Sequence, residues 1–473
     1  MQKMSIIRSE NMHSHIYFRH KNMQKILNLK NIYDKIKKVM KMLKRKIEKK
    51  LLEWKQKDDK MCLVIKGARQ VGKTFIIDKF AKENYKNYVY INFDEMPSYK
   101  DIFDGDLNPE TLIKQMTVNI PNINLTPNET IIVLDEIQNC PRARTALKFL
   151  SIDKRFDVIA SGSLLGINYK DVPSFPVGYV ETLEMHSLDF EEFLWANGMN
   201  EDAIFYIKEY FDKKEEVPKA MHEKMLELFR EYIVVGGMPR AVSEFVKTSN
   251  FASVLKIQRD IVDNYLDDIA KYAKETEKAK ARECFLSIPK QLSKDYKKFQ
   301  YSLLEPKATA RKFGGSLMWL YDAGIINYCY NLRNPELPLE GNSINDQFKI
   351  YMKDTGLLVS MLEDGSQKDI IDGNLGIYKG AIYENIIADI FTKLGKKLYY
   401  FEHRNQLEMD FIIRYKDKVT AIEVKSAENT KAKSMNNMIN NWNIKQGIKL
   451  SGKNISGNDV VRNYPLYMAI FLK

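Results

Sequence analysis

At 473 residues the chain exceeds one ordinary core, so two or three domains are expected. Its 44% hydrophobic and 11% aromatic content is that of a folded protein and excludes a largely disordered chain. The net charge of +12 points first to nucleic acid, but residues 1–50 hold 15 Lys and Arg against Glu10, Asp34 and Glu48, and the rest of the chain balances. The charge is therefore no evidence for a basic face on the folded body.

Residues 1–41 form a basic N-terminal extension without a globular pattern. Three readings fit it: a basic arm for nucleic acid or anionic surfaces, an unstructured extension, or a start codon placed too far upstream. Met1, Met4, Met12, Met23, Met40 and Met42 all offer starts. No apolar run approaches the ~18 residues of a membrane span, and no signal peptide is evident. Cys62, Cys140, Cys284 and Cys329 are scattered, which argues against a disulfide framework or a zinc knot. A cytoplasmic protein without membrane contact is expected.

The first convincing helix runs from Leu43 to Gln56. Met61 to Ile65 is a short apolar strand suited to burial on both faces of a parallel sheet. It leads into Gly67-Ala68-Arg69-Gln70-Val71-Gly72-Lys73-Thr74 and then into a helix, the order that a phosphate loop requires. Gly67 and Gly72 permit dihedrals and close backbone approach that side chains would block. The loop amides and helix N-terminus turn partial positive charge toward phosphates. Lys73 is expected on the β- and γ-phosphates of ATP and the Thr74 hydroxyl on Mg2+, with Arg69 more naturally pointing outward. Tyr88 to Phe93 supplies another strand.

Ile131 to Leu134 is a further strand ending in Asp135 and Glu136. There Asp135 would hold magnesium through water and Glu136 would polarise an attacking water, which argues for hydrolysis. A buried strand ending in a solvated acidic turn is the plainer alternative. Asp157 to Ala160 ends at Ser161-Gly162-Ser163, where a small polar residue reaches the γ-phosphate or the water; Ser161 is preferred to Ser163. Arg142, Arg144 and Arg155 are candidates for an arginine finger, and spacing does not separate them from surface arginines. Strands alternating with helices imply a three-layer α/β sandwich.

These segments, K-G-A-R-Q-V-G-K-T, V-L-D-E-I-Q and I-A-S-G-S-L-L-G, resemble the AAA-type ATPases of bacteria and archaea that end in a C-terminal domain of unknown function. The resemblance continues through residues 187–194, 234–242, 351–358 and 422–425 and covers roughly 42–473. Many members carry Arg or Lys after the glycine of a Phe-Pro-Val-Gly segment; Tyr179 stands there in this chain. The resemblance also implies that Pro239, in the Gly236-Gly237-Met238-Pro239 turn, packs on the adenine. A simple helix break is the competing reading.

Residues 201–280 are helical by pattern. Ile288 to Leu332 runs helix, turn, helix and strand, which resembles a winged helix. Ala308–Ala323 is then the helix suited to a major groove, with Lys307, Arg311 and Lys312 at its start. Winged helices also act as lids on this class of ATPase without touching DNA.

Toward the C-terminus, Glu384 lies near the start of an apolar-periodic helix, and Glu408 to Arg414 reads as a strand turning into Val419–Lys425. A hairpin closed around Lys416-Asp417 sets Asp410 opposite Glu423, with Glu423 and Lys425 on one face. Opposed carboxylates repel; a divalent cation held by Asp410 and Glu423 removes that cost and activates water, with Lys425 stabilising charge. Glu384, Asp410, Glu423 and Lys425 together resemble the site of the restriction-endonuclease-like fold. A magnesium-dependent nuclease, an inactive fold of this kind that binds nucleic acid or a protein partner, and a chance alternating strand remain open readings. His403 and Arg404, close upstream, are read as surface residues.

The expected fold class is thus α/β: a P-loop NTPase sandwich over 42–200, a helical and winged-helix segment over 201–335, and a restriction-endonuclease-like α/β domain over 336–473.

Overall fold

The computed structural model describes residues 43–163, 178–293, 297–373, 379–403, 407–425 and 433–473. The N-terminal extension, residues 164–177 and Arg404 lie outside the described residues. The chain divides into residues 1–44 and 45–473, and everything below concerns the second unit.

Its first sheet comprises β1 (Cys62–Lys66), β2 (Asn87–Asn92), β3 (Thr130–Asp135), β4 (Asp157–Gly162) and β5 (Val180–Glu184). All pair in parallel in the order β2-β3-β4-β1-β5. Helix α1 (Lys46–Lys55) precedes the sheet; α2 (Lys73–Asn84), α3 (Pro109–Asn119) and α4 (Pro141–Asp153) connect its strands.

Strand alternation divides the burial between two faces. Val64, Val89, Ile132 and Val158 pack with Leu112, Met116, Leu147 and Leu150 of α3 and α4. Leu63, Ile65, Val133 and Ile159 are buried outside that cluster, and α2 contacts β2, β3 and β4. The expected three-layer α/β arrangement around a parallel sheet is present.

A helical stretch follows: α5 (Phe190–Ala196), α6 (Glu201–Lys213), α7 (Lys219–Val235), α8 (Pro239–Thr248), α9 (Phe251–Tyr272) and α10 (Glu275–Leu292). Among the described residues no helix is long and apolar enough to cross a membrane. Helix α11 (Ala310–Asp322) packs on α10, and β6 (Ile326–Leu332) and β7 (Ser343–Met352) form an antiparallel hairpin after it. This is the helix, turn, helix and strand order expected. The hairpin is not a free wing, however. β6 also pairs in parallel with β8 (Leu398–His403), which pairs with β9 (Leu407–Met409), giving a sheet of order β7-β6-β8-β9.

Short helices α12 (Thr355–Ser360) and α13 (Ser366–Asp372) lead to α14 (Lys379–Lys393). The last sheet joins β10 (Phe411–Tyr415), β11 (Lys418–Val424), β12 (Gln446–Ser451), β13 (Ser456–Gly457) and β14 (Val461–Pro465) in the order β10-β11-β12-β14-β13, with α15 (Lys433–Asn441) between β11 and β12. The strand expected over 408–414 is broken at Asp410: residues before it pair with β8 and residues after it with β11. The Asp410 carboxylate accepts the Val424 amide at 2.7 Å, so a side chain takes the place of one ladder bond.

Candidate nucleotide and C-terminal sites

The phosphate loop leaves β1 at Lys66 and enters α2 at Lys73. Gly72 has φ of 96°, a conformation that disfavours any side chain, and a Cβ on Gly67 would lie 2.1 Å from the Met185 carbonyl oxygen. The Lys73 ammonium donates to the carbonyls of Gly67 and Ala68 at 2.9 and 2.8 Å, curled over the loop it serves. Burial pushes this ammonium down to about 8, with Glu136 and Asp135 pulling it back up.

Asp135, at the tip of β3, is the hub. Its Oδ2 accepts the hydroxyls of Thr74 and Tyr90, each at 2.8 Å. Its Oδ1 accepts the Ser161 hydroxyl and the Glu136 amide. Glu136 follows in a left-handed conformation (φ 52°), and its carboxylate accepts from the Gln138 amide and, at 3.4 Å, from Ser163. Ser161, expected beside the γ-phosphate, is fully buried and serves Asp135; Ser163 is the hydroxyl next to Glu136.

Arg69 does not point outward. It is half-buried and donates to Asp268 and to Tyr272 of α9, at 3.0 Å for Tyr272, and to Ser163 at 3.3 Å. Tyr265 of the same helix donates to the Arg69 carbonyl at 3.2 Å. Removal from water raises the Asp268 carboxyl to about 6 despite the Arg69 guanidinium. Sequence reading missed this tie, and also Arg45, which is buried and donates to the carbonyls of Val71 at 3.1 Å and His186 at 2.7 Å.

The arginine-finger candidates have other partners: Arg142 donates to the carbonyls of Phe103 and Gly105, Arg155 pairs with Asp153 and Glu110, and Arg144 is buried. The Lys148 ammonium lies 5.3 Å from the Tyr179 ring centroid. The Gly236–Pro239 turn is clamped from both sides. Leu188 donates to the Gly237 carbonyl at 2.7 Å, and the Gly237 amide donates to Asp354 at 2.8 Å. Met238 lines a narrow cavity of about 20 Å³ beside Ala68 and Val71, whereas Pro239 is buried as the first residue of α8.

His186 borders the same cavity, and burial, aided by Lys353, Lys393 and Lys50 against Glu184, lowers its imidazole from 6.5 to about 4. The unfolded chain therefore takes up a proton near pH 6.5 that the folded chain refuses until about pH 4, so stability is lost as pH falls through that window. Between pH 7 and 5 the expected loss is roughly 2 kcal/mol. Urea midpoints at the two pH values should show it, with a shallower loss in His186→Gln; parallel losses in both proteins would refute this origin.

In the C-terminal region, Lys416 and Asp417 both take left-handed dihedrals and close a two-residue turn. Phe411 pairs with Ile422, which is the register that sets Asp410 opposite Glu423, just beyond the end of the ladder. Glu423 binds Lys425 at 2.7 Å through Oε1, and its buried Oε2 has no hydrogen-bond partner. Lys449 is the neighbour of Glu423 on β12.

Glu384, buried on α14, is differently engaged. It pairs with Lys297, accepts from the Tyr351 hydroxyl at 3.1 Å and lies 3.9 Å from Lys349. Lys349 is 1% exposed in its side chain and also pairs with Glu408. Burial opposes the Lys349 charge, but Glu384, Glu408 and Asp410 more than offset it and hold the ammonium above its ordinary range. Removal from water and the Glu384 charge push the Asp410 carboxyl up.

The unpartnered Glu423 oxygen is an acceptor suited to a cation, whereas the Asp410 carboxylate holds the Val424 amide and Glu384 already has ammonium partners. Among the described residues no group of three or more His, Cys, Asp and Glu side chains is placed to hold a metal ion.

Residues 226–368 and 379–467 match two family models described as domains of unknown function (DUF8612 and DUF4143). No curated protein matches. Among solved structures, a Walker-type ATPase of Pyrococcus abyssi is similar at 15% identity, covering 68% of this chain and 96% of that one with a TM-score of 0.40. The Orc1 protein of Aeropyrum pernix in complex with DNA is similar at 13% identity, covering 68% and 91% with a TM-score of 0.30. AMPPCP-bound DnaA from Aquifex aeolicus is similar at 13% identity, covering 58% and 86% with a TM-score of 0.24. Residues 59–194 match the model of an AAA domain; this stretch contains Lys73, Thr74, Asp135, Glu136 and Ser161, and the resemblance to AAA-type ATPases drawn from the sequence holds there.

Proposed function

We propose that this chain is a magnesium-dependent ATPase switch whose nucleotide state governs a C-terminal nuclease-like domain that engages nucleic acid. The observation that carries the first half is the convergence of Thr74, Tyr90, Ser161 and the Glu136 amide on Asp135, beside Lys73. Thr74 and Asp135 would hold Mg2+, and the hydroxyls already oriented on Asp135 fit that role. Bound magnesium supplies charge neutralisation on the phosphates. Lys73 exchanges the Gly67 and Ala68 carbonyls for phosphate oxygens. Glu136, steadied by Gln138 and Ser163, accepts the proton of the attacking water. Met238, which lines the cavity beside Ala68 and Val71, would meet the adenine, with Pro239 buried behind it to hold the turn.

Coupling follows from Arg69. A loop that reshapes around phosphates pulls on Asp268 and Tyr272, so α9 receives the nucleotide signal. Support for the C-terminal half comes from the hairpin register and the unpartnered Glu423 oxygen, with Lys425 beside it. Lys307, in the turn before α11, and Arg311, in its first turn, would meet DNA phosphates.

With purified protein, Mg2+ or Mn2+, and linear, circular and single-stranded DNA, wild type is expected to cleave at least one substrate and Asp410→Ala none, with ATP altering the rate. Identical behaviour of the two proteins on every substrate would end the nuclease reading. A second reading, an inactive nuclease fold that binds a protein under ATPase control, is favoured by one observation: Glu384 is already neutralised by Lys297 and approached by Lys349. Recovery of one stoichiometric protein without nucleic acid would support it.

A further inference from the structure

A cleft of about 630 Å³ opens between β5, α11, β6 and the turn from α14 to β8; it shares Glu184, His186 and Lys353 with the narrow cavity beside Ala68 and Val71, and Asp410 does not line it. Three tyrosines form one wall. The rings of Tyr321 and Tyr328 are 5.4 Å apart, and those of Tyr328 and Tyr330 are 5.6 Å apart with planes only 13° from parallel. Tyr321 is exposed and the other two are half-buried, so ring surface is available to a ligand. Period two along β6 turns Tyr328 and Tyr330 away from Cys329, whose thiol feels Lys349, Glu384 and Asp410. The cleft and the buried charge cluster thus use opposite faces of the same strand.

The cleft is also cationic. Five lysines line it against two carboxylates, Glu184 and Glu340. Lys353 is matched by Glu184, Lys397 by Glu340 and Lys393 by Asp389. That leaves Lys50 and Lys396 in excess; Lys396 meets the Arg414 carbonyl oxygen at 3.3 Å and no carboxylate among the described residues.

Near-parallel aromatic rings and ammonium groups without counter-ions are complementary to base faces and phosphates. A duplex hides its base faces in its own stack and offers the rings nothing. We propose that this cleft binds a short stretch of single-stranded nucleic acid, with bases on the Tyr328–Tyr330 platform and phosphates on Lys396 and Lys50. The proposal rests on the C-terminal reading for its class of ligand only; binding here needs neither ATP nor cleavage.

The test uses the full chain in EDTA without nucleotide, with fluorescence anisotropy of a labelled deoxythymidine decamer. Unlabelled ribo- and deoxydecamers and thymidine monophosphate serve as competitors. Wild type should bind, and Tyr328→Ala with Tyr330→Ala should weaken binding about tenfold or more. Tyr328→Phe with Tyr330→Phe keeps the stacking surface and should bind as wild type does, which separates lost stacking from lost fold. Lys396→Ala should flatten the salt dependence by about 0.7 in log–log slope. No binding by wild type, or unchanged binding by the alanine pair, would overturn the proposal. Competition by the monophosphate equal to that of the decamer would assign the cleft to free nucleotides and overturn the strand assignment. The cleavage assay contains metal and this one excludes it, so either reading can fail alone.

Discussion

Glu136→Gln is expected to bind ATP as wild type does and to hydrolyse it about 10²–10⁴ times more slowly. The substitution keeps the size and reach of the side chain, so the contacts with Gln138 and Ser163 survive with an amide in place of a carboxylate. What it removes is the basic oxygen needed to take a proton from water. Asp135 is untouched, and its bonds to Thr74, Tyr90 and Ser161 do not involve the Glu136 side chain. Lys73→Ala is the contrasting variant. It deletes the ammonium that the phosphates would recruit, and both binding and turnover should fall. Phosphate release and equilibrium binding, measured on all three proteins, separate the outcomes. Turnover in Glu136→Gln equal to wild type would mean that the chain uses ATP as a ligand only, or that another group is the base.

The nucleotide site was legible because its chemistry is contiguous. A strand, a glycine loop and a helix lie within residues 61–84, and the second acidic strand is itself a local pattern. The C-terminal register was legible for the same reason: a two-residue turn and strict alternation leave one pairing, and Phe411 does face Ile422. What stayed hidden depends on partners distant in sequence. Arg69 turns inward because Asp268 and Tyr272, about two hundred residues later, offer it a carboxylate and a hydroxyl. The break at Asp410 depends on Val424 presenting its amide, and the role of Ser161 on the reach of Asp135. Lys297 and Lys349 carry no motif at all. They lie 87 and 35 positions before Glu384, and only the fold brings them to it.

That last group decides how Glu384 should be understood, and Glu384→Gln is the variant that asks. Glutamine keeps the shape and can still accept from Tyr351, but it removes the charge that faces Lys297 and the fully buried Lys349. Taking one partner from a buried ion pair leaves an uncompensated charge and costs about 3–5 kcal/mol. Here Glu408 still holds Lys349, and Asp410, relieved of a like charge, ionises more readily and takes up part of the role. The low end, about 3 kcal/mol, is therefore expected in urea unfolding monitored by circular dichroism. Adding Lys297→Met removes one of the stranded ammonium groups and should recover part of the loss, a coupling that a double-mutant cycle measures directly. A carboxylate kept for catalysis behaves differently: its amide variant folds with wild-type stability and loses only activity. If Glu384→Gln unfolds within 1 kcal/mol of wild type, the ion cluster is not what holds α14 to β7, and Glu384 returns to the company of Asp410 and Glu423 as a residue of the cleavage site.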